Sequence, residues 1–310
     1  MITCPLDIVS DFPVRKSKNQ KEAFYQKLKP YVKKLGYSVH REKGSFGSRN
    51  IIIGDPSKAK YLITAHYDTC AWLPFPNLIT PENLPLLIFW QIVILGFFLG
   101  ITALAGVGIW YLTQDPHMAV WLAYLLLWVM LVLMLIGPAN PSNVNDNTSG
   151  VIQVLEIART LPANQRKKVC FVLFDLEEAG LIGSSSYRKR HRQETENQIV
   201  LNFDCVGEGD VIRFYPCKKV KKAPKILKSL NSCCGRFGAK SVSVRAEGFG
   251  FYPSDQKNFP LGVGICALRK NKLGLYLGKI HTPRDKVLDL TNINILRAAV
   301  ISMISCNAVE

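Results

Sequence analysis

The sequence predicts an α/β domain built on a mixed, mostly parallel central sheet with helices on both faces, plus a two-helix apolar insertion. Three observations lead there. Short apolar runs with strand character alternate with longer helical segments, the pattern of a sheet covered on both sides. Several of the strand-like runs end in His, Asp or Glu, as KAKYLITAHYDT and QIVLNFDCVG do. Two further apolar runs, 86–112 and 118–137, carry no charge at all and are too long for strands. A chain of 310 residues is long enough to bury a full core.

The elements follow in order. A helix is expected around 17–35, then strands near 49–54 and 60–66, the second ending at His66, Tyr67 and Asp68. After the apolar pair, NDNTSGVIQVLEIARTL places Asp146 in a loop and begins an amphipathic helix at Ser149, with Val151, Val154, Leu155 and Ile157 inward. KKVCFVLFDLEEAGLIGSSSY reads as a buried strand that ends in Glu177 and Glu178 and leaves through small residues. QIVLNFDCVG gives a strand ending at Asp204, and LYLGKIHTPRD a strand followed by His281, Thr282 and Asp285. A last helix is expected near 289–307. The expected division is 1–83 and 139–310 as two parts of one catalytic domain, with 84–138 as a transmembrane hairpin between them.

Each apolar run reaches the roughly 20 residues a helix needs to cross the hydrocarbon core. Trp90, Trp110, Tyr111 and Trp121 lie toward the ends, where amphipathic rings favour the membrane interface. The connection TQDPH is short and polar, so the chain returns to the side it left. No Lys or Arg occurs between Lys60 and Arg159, so all 39 basic residues and the formal charge of +16 belong to the flanks. That distribution puts both flanks on the cytoplasmic side of a cell membrane crossed more than once. Nine cysteines without a CxxC pair point to reduced thiols in a reducing compartment. The N-terminus shows no cleavable signal pattern. The basic runs at 166–168, 188–190 and 218–222 come without aromatic RNA motifs or zinc-finger spacing, so no nucleic-acid partner is expected.

A histidine after a strand, an adjacent Glu pair or an Asp before Ser-Gly is unremarkable alone. Five such strand ends or loops in one chain offer two His, two Asp and a Glu pair, and imidazole with carboxylate is the donor set of zinc and similar divalent ions. At this point AHYDT, NDNTSGV, FDLEEAGLIGSSSY, NFDCVG and IHTPRD resemble, in order, the motifs of the di-zinc aminopeptidase family of clan MH, a group of zinc-dependent exopeptidases that also holds glutaminyl cyclases. The resemblance covers about residues 17–83 and 138–307, everything except the hairpin.

The resemblance implies two Zn2+ ions, or another divalent metal such as Co2+ or Mn2+. His66 and Asp204 would hold one ion, Glu178 and His281 the other, and Asp146 would bridge them. Glu177 matches the family's general base, which acts on a metal-activated water, and Asp68 the carboxylate that orients the ligand two residues before it. Asn145 and Asn147 flank Asp146 where some relatives carry a second Asp for the substrate α-amine. FGFYPSDQKNF resembles the family's Ser-Asp-His segment with Gln256 at the His position; Tyr252 and Asp255 are its substrate-binding candidates, beside Ser254 and Phe259. Cys70 receives no catalytic role. The expected function is membrane-anchored peptide-bond hydrolysis, with an aminopeptidase first in view. The alternatives are a glutaminyl cyclase-like acyltransferase using one zinc and a non-catalytic membrane adaptor on the same fold; the intact ligand set and Glu177 speak against the second.

Overall fold

A computed structural model describes residues 2–306 of the chain. Ten strands form one mixed sheet: β1 (Val39–Lys43), β2 (Arg49–Ile53), β3 (Tyr61–His66), β4 (Val169–Phe174), β5 (Ile199–Phe203), β6 (Val211–Pro216), β7 (Gly235–Phe237), β8 (Lys240–Val244), β9 (Gly262–Asn271) and β10 (Gly274–Tyr276). Their spatial order is β1-β2-β4-β3-β5-β9-β6-β8-β7, with β10 hydrogen-bonded to β9. The middle of the sheet, β4-β3-β5-β9, is parallel throughout, and antiparallel pairs lie toward the edges. Strand β3 precedes the apolar pair of helices in sequence, yet it lies between β4 and β5, which follow them.

The central strands read as nearly continuous apolar runs because both faces of the sheet are covered. Every residue of β3, β4 and β5 is buried. Alternation then sorts their side chains. Ile51, Ile53, Ile63, Phe171 and Leu173 face the helices Lys18–Lys34, Gly150–Thr160 and Leu290–Cys306. Ile52, Leu62, Val172 and Phe174 face the opposite way, against Tyr187 of the helix Ile182–Arg190 and against Phe259. The N-terminal helix starts as expected, on a capping box in which Ser17 and Gln20 satisfy each other's backbone N–H.

The apolar pair forms helices Leu84–Thr113 and Pro116–Ile136, of 30 and 21 residues, about 45 and 32 Å long at 1.5 Å per residue. Gln114 turns the chain in a left-handed conformation, and Asp115 caps the second helix by accepting from the N–H groups of His117 and Met118. The two helices pack on each other, but only Phe98 and Ala119 among their residues are buried. They are therefore not core helices of the α/β body. Both are long and apolar enough to cross a membrane. Their base is stitched to the sheet side by a bridge between Ala71 and Ala139 and by the Trp72 N–H donating to the Pro138 carbonyl.

One expected element differs. The run before His281 is not a strand ending at that residue. Only Gly274–Tyr276 pairs with β9, Leu277 makes a single bridge to Ile79, and His281 sits in a loop with φ of 62°. The reason is positional: β10 pairs only with the outer end of β9, Arg269–Asn271, so the chain leaves the sheet before it turns back toward the site.

Candidate metal centre

All the acidic and imidazole motifs converge at the carboxyl ends of the parallel strands, where open α/β sheets place their ligand sites. His66 closes β3, Glu177 and Glu178 lie three and four residues past β4, and Asp204 directly follows β5. Asp146 comes from the irregular turn Val144–Ser149 ahead of the helix Gly150–Thr160, and His281 from its loop.

Asp146 occupies the centre. Its Oδ1 is 3.3 Å from His66 Nε2 and its Oδ2 is 3.2 Å from His281 Nε2, so its two oxygens address two different imidazoles. Asp204 Oδ1 stands 3.7 Å from the same His66 nitrogen, and Glu178 Oε2 stands 3.3 Å from the same His281 nitrogen. Two overlapping donor sets result, His66 with Asp204 and Glu178 with His281, and Asp146 is common to both. A Glu177 oxygen lies within 4.8 Å of donor atoms of His66 and Asp204.

These donors suit divalent cations. His66, Asp146 and Asp204 are buried, and none of the carboxylates named here pairs with a Lys or Arg among the described residues. Glu178 Oε1 and Asp204 Oδ1 are buried without a hydrogen-bond partner. Buried carboxylates without compensation are costly, and a cation is the natural partner for them. The proton equilibria respond in the same sense. Burial, with repulsion from Glu178, Asp255 and Asp204, outweighs His66 and holds Glu177 well above the usual carboxylate range. Burial likewise pushes Glu178 up to about 8 against the pull of His281. For His66 burial opposes the charged form, yet Glu177, Asp146, Asp204 and Asp68 prevail and hold it well above an ordinary histidine. Imidazole nitrogens and carboxylate oxygens in two neighbouring sets fit zinc or a similar ion.

The surrounding hydrogen bonds fix this geometry. The Asp68 carboxylate lies 3.6 Å from His66 Nδ1 and accepts from the backbone N–H groups of Glu177 and Glu178, at 3.1 and 3.3 Å. The Asp68 backbone carbonyl, 3.2 Å from His66 Nδ1, orients the ring, while the Asp68 carboxylate holds the Glu pair. Asp285 does the equivalent for the Asp146 turn, accepting from Asn145 N at 2.8 Å and Asp146 N at 2.9 Å. Arg15, fully buried, ties the chain after β3 to that same turn by donating to the Tyr67 carbonyl and to Thr148 Oγ1. Asn147 spans Phe203 O, Gly150 N and Cys205 N, and Asn145 accepts from Gly207 N. Both asparagine side chains serve the backbone around β5.

The roles of Asp285 and Arg15 did not emerge from the sequence. Asp285 had a signal, the acidic residue that closes IHTPRD, but Arg15 had none, because Thr148 lies 133 residues away. The segment carrying Tyr252 and Asp255 packs behind Asp204. The Tyr252 hydroxyl donates to the Asp204 carbonyl at 3.1 Å, and its ring stacks on Tyr215. Asp255 is fully buried, neither of its oxygens has a hydrogen-bond partner, and burial raises its pKa to about 7. Ser254 Oγ accepts from Asn202, and Phe259 stacks on Phe174 in the core.

Comparison with known proteins places this geometry in context. Residues 134–303 match the sequence model of Peptidase family M28. No curated protein sequence matches. Among solved structures, glutaminyl cyclase of Porphyromonas gingivalis superposes with a TM-score of 0.62 at 18% identity, over 98% of this chain and 96% of that one. A Zn-dependent exopeptidase of Parabacteroides distasonis gives 0.59 at 16% identity, over 97% and 94%. A leucine aminopeptidase precursor of Bacteroides thetaiotaomicron gives 0.56 at 17% identity, over 97% and 92%. At such identities the likeness is one of fold.

Proposed function

The chain belongs to peptidase family M28, and from that premise we propose that it is a membrane-anchored di-zinc peptidase, an aminopeptidase in the first instance. The observation that carries the two-ion reading is the placement of the two Asp146 oxygens, 3.3 and 3.2 Å from the nitrogens of two different histidines. In this reading His66 and Asp204 hold one ion, Glu178 and His281 hold the other, and Asp146 is shared. When bound, such ions polarise a scissile carbonyl and lower the pKa of a water at the site.

The chain's own residues do the rest. Glu177 makes no side-chain hydrogen bond among the described residues, which leaves its carboxylate free to take a proton from the attacking water. It returns that proton to the amine nitrogen as the C–N bond breaks, so the products are a free amine and a carboxylate. Asp68 keeps His66 and the Glu177 backbone in register during this exchange. Tyr252 holds the Asp204 segment from behind, and Asp255 is fully buried in the same segment.

The apolar hairpin supports the anchor. Its side chains are exposed over most of both helices, and the aromatic residues Trp110, Tyr111 and Trp121 cluster near its turn. At its base Lys16 donates through Nζ to the Leu135 carbonyl at 2.7 Å, placing a cation where the helix leaves the apolar layer. With every Lys and Arg outside this segment, the catalytic body faces the cytoplasm.

The test is a substrate panel for the zinc-loaded protein: peptides with a free N-terminus, the same peptides N-acetylated, and peptides beginning with glutamine. The account expects release of the N-terminal residue from the free-amine peptides alone. Conversion of N-terminal glutamine to a pyroglutamyl end, with loss of ammonia and no cleavage, would replace it with the cyclase reading. No reaction on any peptide would favour the adaptor.

A further inference from the structure

Resting on the two-ion reading, we propose that Cys70 is an additional protein ligand of the ion held by Glu178 and His281. Cys70 lies four residues beyond His66, on the chain that leaves β3 toward the hairpin, and is 1% exposed. Its Sγ, a carboxylate oxygen of Glu178 and a ring nitrogen of His281 all lie within 4.8 Å of one another. Zinc bonds of about 2.0 Å to nitrogen and 2.3 Å to sulfur put tetrahedral donors roughly 3.3–3.8 Å apart. The three atoms thus need to close by only about 1 Å to share an ion.

The thiol is held on a fixed frame. The Cys70 carbonyl accepts from Asn140 N at 3.1 Å, the next residue bridges to Ala139, and Sγ lies 3.3 Å from Asn143 Oδ1. Asn140 and Asn143 belong to the segment that leads into the Asp146 turn, so the thiol and the shared carboxylate are positioned together. On ligation the S–H proton leaves to solvent, its donation to Asn143 Oδ1 is given up, and the thiolate would bind the ion.

The consequence is an asymmetric pair. Asp146, Glu178, His281 and Cys70 give one ion four protein donors, the closed arrangement of a structural zinc. His66, Asp204 and Asp146 give the other ion three, with room for water and substrate. A second thiol, Cys205, lies within 4.8 Å of oxygens of Asp146 and Asp204, but its group contains no imidazole, which makes it the internal control.

The test is cobalt titration of the full chain in detergent, after chelation of its native metal. Wild-type protein should bind two Co2+ and develop a sulfur-to-cobalt charge-transfer band in the near ultraviolet with one of the two equivalents. Cys70→Ser should lose the band and bind one of its two ions roughly tenfold or more weakly. Cys205→Ser should keep both. Two bound cobalt ions without the band, or a band that survives Cys70→Ser, overturns the assignment. Fewer than two bound ions overturns the two-ion reading and this inference with it. Should Cys70→Ser fail to fold, zinc X-ray absorption of the wild-type protein decides: a sulfur shell near 2.3 Å supports the ligand, and nitrogen and oxygen shells alone refute it.

Discussion

Asp146 can address two histidines because its backbone is held from the other side. Asp285 accepts from the N–H groups of both Asn145 and Asp146, and burial, with repulsion from Asp146, raises its own pKa to about 7. An amide at this position presents one acceptor where two are needed. Asp285→Asn should therefore leave a buried N–H unsatisfied, lowering stability by about 1–3 kcal/mol and metal affinity roughly 10–100-fold. Denaturant unfolding of the metal-free protein and a zinc competition titration measure the two effects separately. Unchanged affinity would mean the turn holds its shape without Asp285. The candidate donors were legible in sequence, because most follow strand-like runs and all match the motifs of the resembled family, which also named Asp68. Asp285 and Arg15, which hold the turn that carries Asp146, were not. Asp285 acts through backbone partners 140 and 139 positions away, and Arg15 through the Tyr67 carbonyl and the Thr148 hydroxyl, 52 and 133 positions away; no local pattern encodes such contacts.

At the scale of elements, the site depends on how closely the helix Gly150–Thr160 approaches β5. A Cβ at Gly150 would collide with Asn147 Oδ1 and with the Phe203 carbonyl, so the glycine of NTSG permits that approach. Gly150→Ala should push the Asp146 turn off β5, destabilise the fold by a few kcal/mol as overpacked cores do, and weaken zinc binding. Thermal unfolding with and without zinc reports both; a variant with wild-type stability and zinc response would rule this contact out as a constraint. The two apolar helices were readable from the length of their charge-free runs, and they and the expected helix at 17–35 form close to the expected limits; the short helix Asp7–Asp11 was not expected. The loop before His281 was read as a strand because its apolar content matches one, while sheet pairing, a long-range property, gives it only a three-residue partner. The proposed topology is tested at this scale too. A tag after Gln114 should react with an impermeant reagent on intact cells, and one after Lys189 should not. The reverse labelling would turn the protein over in the membrane.

For the whole molecule, the point of the architecture is that a single sheet is assembled across a membrane-type insertion. β3 enters between β4 and β5, so His66 reaches donors that lie beyond the hairpin in sequence. The hairpin base stays close to the site: the Leu73 N–H donates to the His281 carbonyl, and Trp72 to Pro138. In vesicles, peptides anchored in the same bilayer should therefore be cleaved in preference to identical free peptides. Removal of 84–138 should abolish that preference while leaving hydrolysis of small soluble peptides near the parent rate. Equal preference in both proteins would detach the hairpin from substrate choice. The strand order that creates this arrangement was not readable in advance, since the sequence announces strands but not their neighbours. The most direct measurement is zinc bound per chain after residues 84–138 are replaced by a short Gly/Ser linker, beside the same protein carrying Asp146→Asn. The account predicts two ions in the first and loss of both in the second. A folded linker protein that binds fewer than two, or an Asp146→Asn variant that keeps both, would contradict it.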